Sequence, residues 1–121
     1  MPIATYALVA IDCPDPRALA DFYREVLGGE VKQNDDDWWD LYAPGGHRIA
    51  FQRAADLTPP EWPSATRNSQ QLHLDFDVPD LDEAEARVLA LGARALDTED
   101  RDRAFRVYAD PAGHPFCLCR A

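Results

Sequence analysis

At 121 residues, 46% of them apolar, the chain is long enough to bury a core and fits one domain or two tightly fused half-domains. Twenty-two acidic against 12 basic side chains leave a formal charge of −10, which argues against a nucleic-acid partner, since phosphate binding needs a cationic footprint. No apolar run could span a bilayer and no basic start precedes one, so we expect a cytoplasmic protein with no membrane partner.

In chain order, residues 5–11 are short, apolar and β-prone, and Asp12-Cys13-Pro14-Asp15-Pro16 breaks them. Asp15 is a good N-cap with Pro16 at the first helical position. Leu19, Phe22, Tyr23, Val26 and Leu27 recur at helical spacing until Gly28-Gly29 stop the helix. Residues 30–32, 38–43 and 48–52 read as strands, with a Pro44-Gly45-Gly46 turn between the last two. Asp35-Asp36-Asp37 falls between two strands and reads as a solvated hairpin loop. Residues 55–70, rich in Pro, Ser and Thr around Trp62, form a linker of the length seen in lids and binding loops. The order then repeats. Residues 72–78 are a strand, Pro79-Asp80 opens a helix carrying Leu81, Ala84, Val88 and Leu91, and Gly92 closes it. Residues 93–96, 105–109 and 115–119 are strands.

The halves also share wording. Tyr42-Ala43-Pro44-Gly45-Gly46-His47 is echoed by Tyr108-Ala109-Asp110-Pro111-Ala112-Gly113-His114, with one inserted residue bringing them into register. Val26-Leu27-Gly28-Gly29 likewise matches Ala90-Leu91-Gly92-Ala93. An internal duplication sets the architecture before any propensity does. We expect one domain over residues 1–121, with module 1 at about 3–54, the linker at 55–70 and module 2 at about 71–121.

Asp21-Phe22-Tyr23-x-x-x-Leu27-Gly28 and Asp110-Pro111-x-Gly113-x-x-Phe116, in two such halves, resemble the glyoxalase/bleomycin-resistance/extradiol-dioxygenase (vicinal oxygen chelate) superfamily over essentially the whole chain. The resemblance implies an α+β fold of two tandem βαβββ modules, a cup-shaped curved mixed sheet with helices outside. It also implies that metal-dependent relatives hold a divalent ion with His, Glu or Gln from the first and last strand of each half. Carried onto this chain through the repeat, those slots fall at Tyr6, Ala50, His73 and Cys117. Three protein ligands are the usual minimum for a catalytic metal, and this set is poor in them. No cofactor is therefore expected; were a divalent metal bound, His73, Cys117 and Gln52 would be its ligands.

Strand alternation sorts the remaining positions. Leu72, Leu74, Phe76 and Val78 pack under a helix, which turns His73, Asp75 and Asp77 to the cup. By the same rule Tyr6, Leu8, Trp38, Asp40, Tyr42, Arg48, Ala50, Gln52, Cys117 and Cys119 line it. Arg106 and Tyr108 join them through the repeat. Aromatic walls with carboxylates suit a flat or cationic organic ligand. The expected binding residues are Tyr6, Trp38, Asp40, Tyr42, Gln52, Trp62, His73, Asp75, Arg106, Tyr108 and Cys117, with His73 the candidate catalytic base. His47 and His114 follow turn glycines, which the turn itself explains.

The leading expectation is a small-molecule binder without the family metal, of the sequestration or resistance type, forming a homodimer that covers its strand edges. The rivals are a lyase, isomerase or dioxygenase with an atypical or metal-free site using His73, and a structural or regulatory dimer with no ligand. Three cysteines, with Cys117 and Cys119 too close in a strand to bridge easily, fit a reducing compartment.

Overall fold

A computed structural model of the chain describes residues 2–63 and 67–121; positions 64–66 of the expected linker lie outside the described residues. The chain divides into two compact units, Met1–Leu57 and Thr58–Ala121. Each is one βαβββ module, so the fold is α+β as the repeat predicts.

The first unit comprises β1 (Val9–Cys13), α1 (Pro16–Leu27), β2 (Glu30–Asp35), β3 (Trp38–Ala43) and β4 (His47–Arg53), with sheet order β1-β4-β3-β2. The second comprises β5 (Leu74–Val78), α2 (Leu81–Ala90), β6 (Arg94–Asp97), β7 (Phe105–Ala109) and β8 (Pro115–Arg120), ordered β5-β8-β7-β6. In each sheet the first and last strands pair in parallel and the other pairs are antiparallel.

Local chemistry explains the helices. The Asp15 carboxylate accepts from Ala18 N at 3.2 Å and Pro16 occupies the first turn, where its missing N–H costs nothing. Asp80 caps α2 in the same way, accepting from Glu83 N at 3.1 Å. Gly28 ends α1 at φ 80°, donating its N–H to Arg24 O at 2.7 Å. From α1, Leu19, Ala20, Phe22 and Tyr23 are buried on the face that meets the sheet, where the Tyr23 ring stacks on Phe51 at 5.8 Å. Burying each such ring contributes about 1.5–3 kcal/mol.

Two differences from the sequence reading bear on the site. The first strand starts at Val9, four residues later than expected, and ends at Cys13, two residues later, because its parallel register with β4 continues to Cys13↔Arg53. The repeat also passes through the last hairpin without an insertion. Asp110 N donates to His114 O at 2.8 Å, so Pro111-Ala112-Gly113 is the tip that matches Pro44-Gly45-Gly46. Each tip proline sits at the glycine ending its own helix. A Cβ built on Gly28 would lie 3.8 Å from Pro44 Cγ, and one on Gly92 would lie 3.7 Å from Pro111 Cγ. The true counterpart of Tyr108 is therefore Leu41, not Tyr42.

Candidate functional site

Each sheet has one face under its helix and one turned away from it, and the registers sort every candidate residue between them. In the first unit, Trp38↔Gln52, Asp40↔Ala50 and Tyr42↔Arg48 are opposite pairs on the face away from α1. Asp40 is buried there, yet its carboxylate is satisfied. It accepts from Arg48 Nε at 3.0 Å and from Trp38 Nε1 at 3.2 Å. The Tyr42 ring is flanked by Lys32 and Arg48, each 5.1 Å from its centroid. The unit thus meets its own acid and aromatic surface with its own cations. Gln52 is exposed.

Tyr6 lies before β1 and is 78% exposed. The parallel registers pair Ala10 with Ala50 and Asp75 with Cys117, so the counterpart of His73 is Leu8, two residues before Ala10. This corrects the Tyr6 assignment: Cys13, opposite Arg53, is the equivalent of Val78, opposite Arg120, which places the slot two residues later than the repeat alone suggests. The first unit therefore presents Leu8 and Ala50 at the two metal slots, and neither side chain has a donor atom. The metal set that the family implies does not fit these residues.

Arg106 and Tyr108 are the second correction. Arg106↔Leu118 and Tyr108↔Phe116 place both on the helix side of β7. There Arg106 Nη2 reaches Asp82 Oδ1 of α2 at 2.9 Å, and Tyr108 Oη donates to Glu85 Oε1 at 2.8 Å. The one-residue slip in matching the tyrosines flipped both side chains, since a strand alternates with period two. Arg101 completes the network, at 2.8 Å from Glu85 Oε2 and 3.2 Å from Asp82 Oδ1. The hydrogen bond from Arg101 holds the Glu85 carboxyl below its usual range, and that from Arg106 does the same for Asp82. Burial and the Glu85 carboxylate push the Tyr108 phenol upward.

The face of the second unit away from α2 carries His73, Asp75, Asp77, Cys117 and Cys119, with Val107 opposite Cys117. His73 Nε2 lies 3.1 Å from Asp75 Oδ1. The ligand atoms of His73, Asp75 and Cys117 all lie within 4.8 Å of one another. The Cys117 thiol is pushed up to about 12 by burial and by the Asp75 carboxylate, so at neutral pH it is protonated and a poor nucleophile. The Trp62 ring stacks on the His73 ring at 4.7 Å and 20°. The segment carrying Trp62 is held to its own unit, with Asn68 Nδ2 donating to Thr58 O and Pro59 O at 2.9 Å and Glu61 N donating to Asn68 O at 2.6 Å. Pro59 in turn packs so close to Gly113 that a Cβ there would come within 2.6 Å of it.

The structure thus joins His73, Asp75, Cys117 and Trp62 in one cluster. Trp38, Asp40, Tyr42 and Gln52 share one face of the first unit, and Tyr6, Arg106 and Tyr108 lie elsewhere. The Arg101–Asp82–Glu85–Arg106 network was not anticipated. Its one sequence signal is the charged pair Asp82 and Glu85 at helical spacing on α2.

No curated protein sequence matches the chain significantly. Among solved structures, a glyoxalase/bleomycin resistance protein/dioxygenase family enzyme from Burkholderia phytofirmans PsJN is similar at 18% identity and TM-score 0.74, over 97% of this chain and 98% of that one. The fosfomycin resistance protein FosX from Mesorhizobium loti is similar at 16% identity and TM-score 0.73, over 99% and 94%. FosX from Listeria monocytogenes, solved with Mn(II) and sulfate, is similar at 16% identity and TM-score 0.72, again over 99% and 94%. At these identities the likeness shows the shared fold. The profile of the glyoxalase-like domain covers residues 8–119, nearly the whole chain, and the chain belongs to that family.

Proposed function

We propose that the protein binds a small organic molecule without the divalent-metal set of its metal-dependent relatives, in the manner of sequestration or resistance proteins. The observation that supports this most is the cluster on the second unit, where an indole ring, an imidazole and a carboxylate converge on one sheet face. An aromatic platform beside a few fixed polar groups is the usual make-up of a small-molecule site. Leu8 and Ala50 in the first unit's metal slots speak for the same reading.

The test is a thermal-shift screen of chelator-treated protein. The panel holds planar cationic aromatics together with bleomycin and fosfomycin, after which the similar structures are named. A true ligand at 100 times its dissociation constant adds about 2.7 kcal/mol of stability. It should also change tryptophan fluorescence, and Trp62→Phe should remove most of that change. A ligand whose binding ignores both Trp62→Phe and His73→Ala would refute the site. The contact of His73 with Asp75 favours a second reading, in which the carboxylate orients the imidazole as a general base in a metal-free lyase or isomerase. We further propose a homodimer, which light scattering at micromolar concentration would confirm or exclude.

A further inference from the structure

We propose that His73, Asp75 and Cys117 form a thiolate-bearing zinc site contained wholly within the second unit. It keeps His73 and Cys117, the second unit's share of the slots named above, and puts Asp75 in place of the first unit's share; it does not rest on the organic-ligand reading above.

Parallel pairing of β5 with β8 sets Asp75 directly across from Cys117, on the face away from α2. His73, two residues before Asp75, is brought to 3.1 Å from its carboxylate. Three different donor types, an imidazole nitrogen, a carboxylate oxygen and a sulfur, therefore fall within 4.8 Å of one another. In a tetrahedral zinc site, with bonds of about 2.0–2.3 Å, neighbouring donors stand roughly 3.3–3.8 Å apart. Closing the set around an ion thus takes a shift of about 1 Å. The exposed Asp75 side chain can make that shift by rotation, while Cys117 stays fixed in the sheet.

Chemistry then selects the metal. A sulfur ligand favours zinc over the hard ions magnesium and manganese, which prefer carboxylate, carbonyl and water. Three protein ligands leave a fourth position open on the sheet face, the pattern of a zinc that can take an exogenous ligand. Trp62, stacked on His73, fixes the imidazole plane as an outer-shell partner would.

The test uses the full chain, stripped with chelator under reductant and titrated with Co²⁺ and then Zn²⁺. One equivalent of Co²⁺ should bind with a thiolate-to-cobalt charge-transfer band, and Zn²⁺ but not Mg²⁺ should abolish it. Cys117→Ser should remove the band, whereas Cys13→Ser and Cys119→Ser should keep it. Because Cys117 is buried and its substitution can unfold the sheet, Asp75→Asn provides a second variant with an exposed side chain. It should fold normally, as judged by circular dichroism, and weaken zinc by about tenfold or more. Absence of the band in the unaltered protein, its survival in Cys117→Ser, or unchanged zinc affinity in Asp75→Asn would overturn the site.

Discussion

The two units follow the same chain path but keep their buried ion pairs on opposite sides of the sheet. Under α1 the first unit is aromatic and aliphatic, with Tyr23, Phe51 and Leu41, and its ion pair Asp40–Arg48 lies on the other face. Under α2 the second unit keeps Phe116 and Leu118 but also carries Arg106, only 3% exposed, bridged to Asp82 and Glu85. The face away from α2 is thereby left to His73, Asp75 and the cysteines. Two modules with one topology thus differ in where their buried charge sits, since the position of Trp39 in one is Arg106 in the other.

The largest expected effect probes the helix exits. Gly29 has φ 102°, and a Cβ there would sit 2.1 Å from Tyr42 O, a backbone atom that cannot move aside. Gly29→Ala should cost about 4 kcal/mol or more in urea unfolding. Gly92→Ala, at φ 109° with only Pro111 Cγ at 3.7 Å, carries the backbone strain alone and should cost about 1–2 kcal/mol. Gly92 is the counterpart of Gly28, and Gly29 that of Ala93, so a cost for Gly29→Ala no larger than that of Gly92→Ala would show that the first unit can relax around the Tyr42 carbonyl as the second already does around Ala93.

Next comes the buried cation. Arg106→Ala should destabilise by about 2–3 kcal/mol, since it leaves Glu85 short of a partner while the exposed Asp82 stays solvated. Arg106→Met should cost clearly less. Arg106 Nε and Nη1 are buried without a hydrogen-bond partner, and an apolar chain of similar length removes that penalty. A methionine variant as unstable as the alanine one would mean that the charge itself holds α2 in place.

The smallest effect is a pH dependence confined to one unit. Asp82 and Glu85 have folded values below their usual 3.8 and 4.5. Their contribution is therefore present above about pH 4.5 and is lost as pH falls through the folded values. Hydrogen exchange should show α2 losing protection in acid before α1, and Glu85→Gln should flatten that difference. Simultaneous loss in both helices would place the acid-sensitive groups elsewhere.

Much of the fold was legible because its signals are local. Asp15 and Asp80 announce caps, Gly28 and Gly92 announce ends, and the expected strands 38–43 and 105–109 are β3 and β7 residue for residue. The site was only half legible, for a physical reason. His73, Asp75 and Cys117 can be found from strand position and alternation, but that Asp75 stands directly across from Cys117 follows from a parallel register that no local pattern encodes. Tyr6, Arg106 and Tyr108 were misplaced by matching letters across the halves, where a slip of one or two residues carries a side chain to the other face or off the strand. The stacking of Trp62 on His73 is a tertiary contact that no strand pattern encodes.

The hairpin tips carry a lesson for anyone building chimeras of the two halves. Pro44 and Pro111 occupy the same position within their modules, while Tyr42 and Tyr108 do not. A β3–β4 graft spliced at the prolines would hand the recipient sheet each side chain on its native face. The same graft spliced at the tyrosines would turn β3 inside out, setting Asp40 beneath a helix and Leu41 on the face away from it.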